Sequence, residues 1–298
     1  MSFSRDVKNE LAAVISKARH CQLAELAAII SHEVRVQCSE GETKLCFRSD
    51  NEVTQKKYFT LLAKTTTINS NGLELSQQDA KEVLTTVKMW KETGDIPKLT
   101  LDVVDGLLLQ QTCCKRAFIR GAFLASGSIS DPNKGYHFEI VCHTPQQARQ
   151  LQEVMATFDV DAKVVERKKH YVVYLKEGAQ IVDMLNVMGA HVALMNLENV
   201  RILKEMRNSV NRKVNCETAN ISKTVNAAVR QVEDIQYIMN TKGLSALPDN
   251  LQEIAQVRLE HPDVPLKDLG TLLTPPIGKS GVNHRLRRIS EIADKLRV

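Results

Sequence analysis

No stretch of the chain approaches the roughly 18 consecutive apolar residues that a membrane crossing needs. The opening, Met1-Ser2-Phe3-Ser4-Arg5-Asp6, puts no apolar run behind its charges. These absences predict a chain that avoids the membrane and stays in the cytoplasm. The seven cysteines (Cys21, Cys38, Cys46, Cys113, Cys114, Cys142, Cys216) are odd in number, and none stands in a C-x-x-C pair. Such usage argues against a disulfide frame or a zinc site and fits reduced thiols packed as small apolar side chains. Neither a metal ion nor a cofactor is expected. Proline is missing between Pro145 and Pro248, then crowds the end at Pro248, Pro262, Pro265, Pro275 and Pro276. A long regular region therefore precedes short, punctuated elements.

What is present suits two ordinary domains. The chain has 298 residues, of which 43% are hydrophobic and 25% charged, enough apolar material for a real core and too much for disorder over most of its length. The net charge of +5 is unevenly placed. Residues 1–200 hold 24 Lys and Arg against 24 Asp and Glu, whereas residues 201–298 hold 16 against 11. The whole cationic surplus thus lies in the last third, as a polyanionic partner would require, because clustered cations gain free energy by releasing counterions from phosphates.

The first two hundred residues repeat themselves at an offset of 93. Leu26-Ala27-Ala28-Ile29-Ile30 falls on Ile119-Arg120-Gly121-Ala122-Phe123, both helical and rich in small residues. Thr43-Lys44-Leu45-Cys46-Phe47 falls on Tyr136-His137-Phe138-Glu139-Ile140, both alternating as strands do. An amphipathic helix follows in each copy, Asn51 to Lys64 and Pro145 to Phe158. The second copy adds a hairpin, Val160 to Glu166 and His170 to Lys176, turning at Arg167-Lys168-Lys169. The expected fold is α+β, with a double-repeat domain over 1–195 (repeats about 20–95 and 113–190). His137, Glu139, Val141 and His143 alternate on one strand face, which reads as solvated surface because no partner ligand set is evident.

From Asn196 the pattern is helical. Val200, Leu203 and Met206, then Val225, Val229, Val232, Ile235 and Ile238 or Met239, take the spacing of a buried helical face. Between them the passage Asn208, Asn211, Arg212, Lys213, Asn215, Asn220, Lys223 is rich in asparagine and base, and 196–222 is expected to be an interdomain linker. Asparagines there cap and turn, while Asn211, Arg212, Lys213 and Lys223 could also grip phosphates as a second contact site.

Three short helices are expected over 223–298 after the first long one: Asp249 to about Glu260, a helix led in by Pro265 with Leu266, Leu269, Leu272 and Leu273 on one side, and a last helix from about Ser280. At about 100° per residue with Asn283 at zero, Val282, Leu286, Ile289 and Ala293 of that last helix cluster near roughly −90°, and Ser280, Asn283, His284 and Arg287 near roughly +60°. Lys279, Arg285, Arg287 and Arg288 occur with no acid until Glu291. The polar side offers what duplex recognition needs: Arg287 and Asn283 to read base edges, and Lys279, Ser280, Arg285 and Arg288 to hold backbone, with His284 between them. Gly278-Lys279-Ser280 imitates the end of a phosphate-binding loop, but the position five before Gly278 is Leu273 and no strand leads in. The passage Thr274 to Lys279 is longer than a tight helix-turn-helix turn and is stiffened by two prolines, so the two helices are expected to stand further apart than usual.

Taken together, Leu266-Lys267-Asp268-Leu269-Gly270 with Ser280-Gly281-Val282-Asn283-His284-Arg285-Leu286, Asn211-Arg212 with Asn215-Cys216-Glu217-Thr218-Ala219-Asn220, and Arg120-Gly121-Ala122-Phe123-Leu124 resemble the bacterial WhiA family over essentially the entire chain. The resemblance implies an N-terminal domain of two repeats folded like LAGLIDADG homing endonucleases and a C-terminal helix-turn-helix domain. It also implies a nucleoid-associated transcription regulator tied to sporulation, or to cell division and chromosome segregation, with double-stranded DNA as partner.

In LAGLIDADG nucleases each repeat's helix ends in an acid, and the pair holds divalent metal. Here the offset places Glu33 in the first copy and Ser126 in the second, and Val34 stands where a glycine would let the chain pass closely. One carboxylate is half of the needed anchor, so no catalytic residue is expected. A metal-dependent nuclease using Glu33, and a scaffold whose N-terminal domain docks a protein, are the rival readings. With residues 1–200 electrically balanced, that domain is read as a weak DNA clamp or a protein-docking surface.

Overall fold

A computed structural model describes residues 2–39, 42–68, 72–93 and 96–297, with side chains described outside 37–43 and 91–98. The chain divides into two compact units, 1–204 and 205–298.

In the first unit a short helix, α1 (Phe3–Ala13), precedes two copies of one pattern. The first is α2 (Arg19–Glu33), β1 (Val34–Ser39), β2 (Glu42–Phe47), α3 (Glu52–Thr65), β3 (Glu74–Leu75) and α4 (Gln77–Thr86), followed by the strand pair β4 (Trp90–Thr93) and β5 (Ile96–Leu99). The second is α5 (Thr112–Ser126), β6 (Gly127–Ile129), β7 (Phe138–Cys142), α6 (Pro145–Ala156), β8 (Lys163–Arg167), β9 (His170–Leu175) and α7 (Gly178–Met188). Helices α2 and α5 are each 15 residues long and begin and end at the same offset, so the repeat read from the residues is a repeat of structure.

These two helices form the centre. From Ala24 to His32 and from Ala117 to Ala125 every residue is buried, as expected for helices apolar nearly all round. Small side chains let them approach. A Cβ on Gly121 would lie 2.5 Å from the Glu25 carbonyl oxygen and 2.9 Å from the Ala28 Cβ, so only glycine fits this crossing. The closeness buries charge as well. Glu25 accepts from Arg120 Nε at 2.9 Å and Nη2 at 2.8 Å, and pairs with Lys57 Nζ of α3 at 3.0 Å. Lys57 also donates to the Val14 carbonyl, and Arg120 Nη1 to that of Met188 at 3.1 Å. Every charged head is therefore matched, which a buried ion group must be to avoid a large desolvation loss.

The sheets flank this pair. One has the order β1-β2-β3 and the other β6-β7-β9-β8, all antiparallel. On β7, Phe138, Ile140 and Cys142 are buried, while Glu139 and Val141, with His137 and His143 just beyond the strand's ends, are partly exposed. His137 Nε2 lies 2.9 Å from Glu139 and Arg167 3.6 Å from it, so this face is a paired polar surface. The β8–β9 hairpin closes through Lys168 and Lys169 with φ of 46° and 71°, the paired left-handed residues of a two-residue turn.

Helix α8 (His191–Lys242) has 52 residues. The linker expected over 196–222 is helical throughout, and the boundary between the two units, 204/205, falls within it. No proline or glycine occurs between Gly189 and Gly243, and asparagine weakens a helix without breaking it. The buried face expected at Leu203, Met206, Val225 and Val229 is corrected, because these side chains are 51–60% exposed. Apolar spacing identifies a face and cannot supply its partner. Within the first unit α8 buries Ala193 and Leu197, and the Glu10 carboxylate accepts from the first-turn amides of Val192 and Ala193 at 2.7 and 3.0 Å.

The second unit packs the end of α8 with α9 (Asp249–Glu260), α10 (Leu266–Leu269) and α11 (Lys279–Arg297). Its core joins Ile235, Ile238, Leu251, Ile254, Leu269, Leu273, Val282, Leu286, Ile289 and Ala293. Helix α10 is shorter than expected. It tightens into a 3-10 turn at Gly270–Leu272, which leaves Leu272 48% exposed while Leu269 and Leu273 are buried. The long connection does not hold α10 and α11 apart, since Leu269 and Val282 share the core. The loop folds back, with Ile277 N donating to the Gly270 carbonyl at 3.0 Å, and a Cβ at Gly270 would meet the Ile277 oxygen at 2.1 Å.

Candidate nucleic-acid interface

Helix α11 is held by its apolar side. Val282, Leu286, Ile289 and Ala293 are at most 1% exposed. Fixing that side turns the opposite one outward, and Lys279, Ser280, Asn283, His284, Arg287 and Arg288 are all exposed. Arg287 Nε lies 3.6 Å from Glu291, a pair in which both side chains are more than half exposed, so the guanidinium is free to exchange partners. Arg285 differs from the rest: it is half-buried, and its Nη1 donates to the Asn250 carbonyl of α9 at 3.3 Å.

Two further residues fix the frame. Arg258 of α9 is buried. It donates to Gln231 Oε1 at 2.9 and 3.1 Å and to the Val264 carbonyl at 2.7 Å, tying α8 to the α9–α10 connection. At the far end Arg297 meets buried Asp234 at 2.8 Å and lies 4.9 Å from the centre of the Tyr237 ring.

The four α8 candidates separate into two groups. Lys223 lines a concave surface together with Lys267 and Lys279, which brings three ammonium groups from α8, α10 and α11 to one depression. Lys267 was missed as a contact candidate because its sequence neighbours are mixed in charge. Asn211, Arg212 and Lys213 are exposed on α8. They precede Lys223 by ten residues or more, about 15 Å along a helix axis, so they do not join that depression.

In the first unit Glu33 and Ser126 end α2 and α5 as the offset required. Partial burial pushes the Glu33 carboxyl up to about 7, against the opposing pull of Lys8 and Arg35. The Ser126 hydroxyl donates to the Val141 carbonyl at 2.7 Å. At the opposite ends of the same helices, residues that the absence of C-x-x-C spacing had set aside are brought together: His20, Cys21, Cys113 and Cys114 have ligand atoms all within 4.8 Å of one another.

Fold and site together define a protein with a LAGLIDADG-like α+β domain followed by a helix-turn-helix domain. Family models described as the WhiA C-terminal HTH domain and the WhiA LAGLIDADG-like domain match residues 210–293 and 115–207. The chain is 51% identical to a probable cell division protein WhiA of Lachnoclostridium phytofermentans, with 100% of both chains covered. It is 49% identical to one of Alkaliphilus oremlandii, covering 99% of this chain and 98% of that one. It therefore belongs to the WhiA family. The crystal structure of full-length DUF199/WhiA from Thermatoga maritima has the same fold, with a TM-score of 0.57 at 22% identity over 99% of each chain. Among the described residues, no helix is long and apolar enough to cross a membrane.

Proposed function

We propose that this protein is a sequence-specific, non-catalytic DNA-binding transcription regulator that reads duplex DNA with α11 and acts at the nucleoid. The observation that carries the reading is the division of α11 into a buried apolar side and an exposed side bearing Lys279, Ser280, Asn283, His284, Arg287 and Arg288. A helix of that kind enters the major groove, where Arg bonds guanine bidentately and Asn pairs with adenine. Arg287 and Asn283 are the base readers; Lys279, Ser280, Arg285 and Arg288 grip phosphates, and Lys223 and Lys267 extend that contact. Asn211, Arg212 and Lys213 are a separate, secondary contact. The curated relatives' name, probable cell division protein, favours genes of division and chromosome segregation as targets, with sporulation as the related setting.

Absence of catalysis is supported by the ends of α2 and α5. Serine supplies no charge for a metal ion, and a Glu33 carboxyl that is half protonated near pH 7 is a poor ligand. Genome-wide crosslinking supplies the sites. On a site so found, Arg287→Ala costs about 1–3 kcal/mol and relaxes preference at one base pair. Unchanged affinity and preference in a gel-shift titration removes Arg287 from the readers. Magnesium-dependent nicking of duplex DNA that disappears in Glu33→Ala would instead reinstate a nuclease.

A further inference from the structure

We propose that His20, Cys21, Cys113 and Cys114 form a binding site for one zinc ion that joins the first turns of α2 and α5. His20 Nδ1 lies 3.1 Å from Cys114 Sγ, 3.3 Å from Cys21 Sγ and 4.0 Å from Cys113 Sγ, and no pair of ligand atoms exceeds 4.8 Å. A tetrahedral zinc ion with sulfur at about 2.3 Å and nitrogen at about 2.0 Å separates nitrogen from sulfur by roughly 3.5 Å and sulfur from sulfur by roughly 3.8 Å. No pair of the four atoms is more than about 1 Å wider than that spacing.

The donor set is three thiols and an imidazole. That combination is one of the closed structural zinc sets, and its softness favours zinc over magnesium or calcium. It is also symmetric. His20 and Cys113 are the second residues of α2 and α5, and Cys21 and Cys114 the third, so each repeat contributes the same two positions. Each position is separated from its counterpart by the repeat offset, and no short-range cysteine motif could reveal them.

The surroundings suit an anionic centre. Binding releases the three thiol protons to solvent, and the ion with three thiolates and a neutral imidazole carries one net negative charge. Both helices start here without a side-chain cap, so their positive ends face the cluster. A cavity of about 240 Å³ lined by Cys21 and Cys113 adjoins it and gives the ion a route in. Cys21 and Cys114 are buried, whereas His20 and Cys113 are exposed, so the last two are open to substitution without disturbing the core.

The test uses the full-length, untagged, reduced chain, stripped with a chelator and titrated with Zn²⁺ against a chromogenic competitor. One equivalent is expected. Co²⁺ should give the ligand-field and thiolate charge-transfer absorption of a tetrahedral sulfur site, and Zn²⁺ should raise the midpoint of thermal unfolding. Cys113→Ser and His20→Asn should each weaken binding by more than about tenfold with unchanged circular dichroism, while Cys216→Ser, at an exposed thiol on α8, keeps wild-type uptake. No uptake by the reduced wild-type chain, whether or not its thiols later pair on oxidation, overturns the site. Uptake that survives both Cys113→Ser and His20→Asn does the same.

Discussion

His32 and Glu33 are neighbours whose protonation pulls stability in opposite directions. His32 is buried, with its Nδ1 2.9 Å from the Ala28 carbonyl oxygen, and burial lowers its pKa from 6.5 to about 4. Between those values the unfolded chain binds more protons, so this group costs stability as pH falls from 6.5 towards 4. Burial raises Glu33 from 4.5 to about 7. Between those values the folded chain binds more protons, so this group adds stability as pH falls from 7 towards 4.5. The two slopes oppose one another between pH 4.5 and 6.5. Glu33→Gln removes one of them, and its unfolding free energy in urea should fall more steeply than that of wild type as pH drops through that window. Parallel profiles would dismiss the assignment. The position of Glu33 at a helix end was legible in the repeat, but its protonation depends on burial by residues distant in the chain.

Elements differ in how openly the chain encodes them. Helix α11 was legible because its apolar side and its partners obey a single period, and the core needs that side. Helix α10 was not, because Gly270 and the returning Ile277 end it by a contact that no local pattern shows. Helix α8 was half legible: its spacing marked a face, yet Leu203, Met206, Val225 and Val229 of that face are exposed. In the β8–β9 hairpin the turn was legible and its strain was not. Lys168 and Lys169 both hold positive φ, where asparagine and glycine fit better. Replacing them together, Lys168→Asn with Lys169→Gly, should stabilise the protein by about 1 kcal/mol, read as a rise in the thermal midpoint. A midpoint that stays or falls would show that the lysines carry no strain.

At the scale of the molecule, each unit has its own core and the cationic surplus belongs mostly to the second. A fragment of residues 205–298 should therefore unfold cooperatively and bind the duplex site within about tenfold of the full chain, a difference of 1.4 kcal/mol. Its affinity should fall linearly with the logarithm of salt concentration. A fragment of residues 1–204 binding as tightly, by anisotropy, would move the interface to the double-repeat domain.

The order of residues alone determined the duplicated helix–strand pattern, the charge asymmetry and the two sides of α11, since periodicity records how side chains share one element. Packing decided the rest. Glu25, Lys57 and Arg120 neutralise one another only because α2, α3 and α5 meet, and His20 reaches Cys114 only because two helices far apart in the chain cross within the reach of a glycine. Such meetings depend on which faces close upon each other in three dimensions, and spacing along the chain carries no record of that.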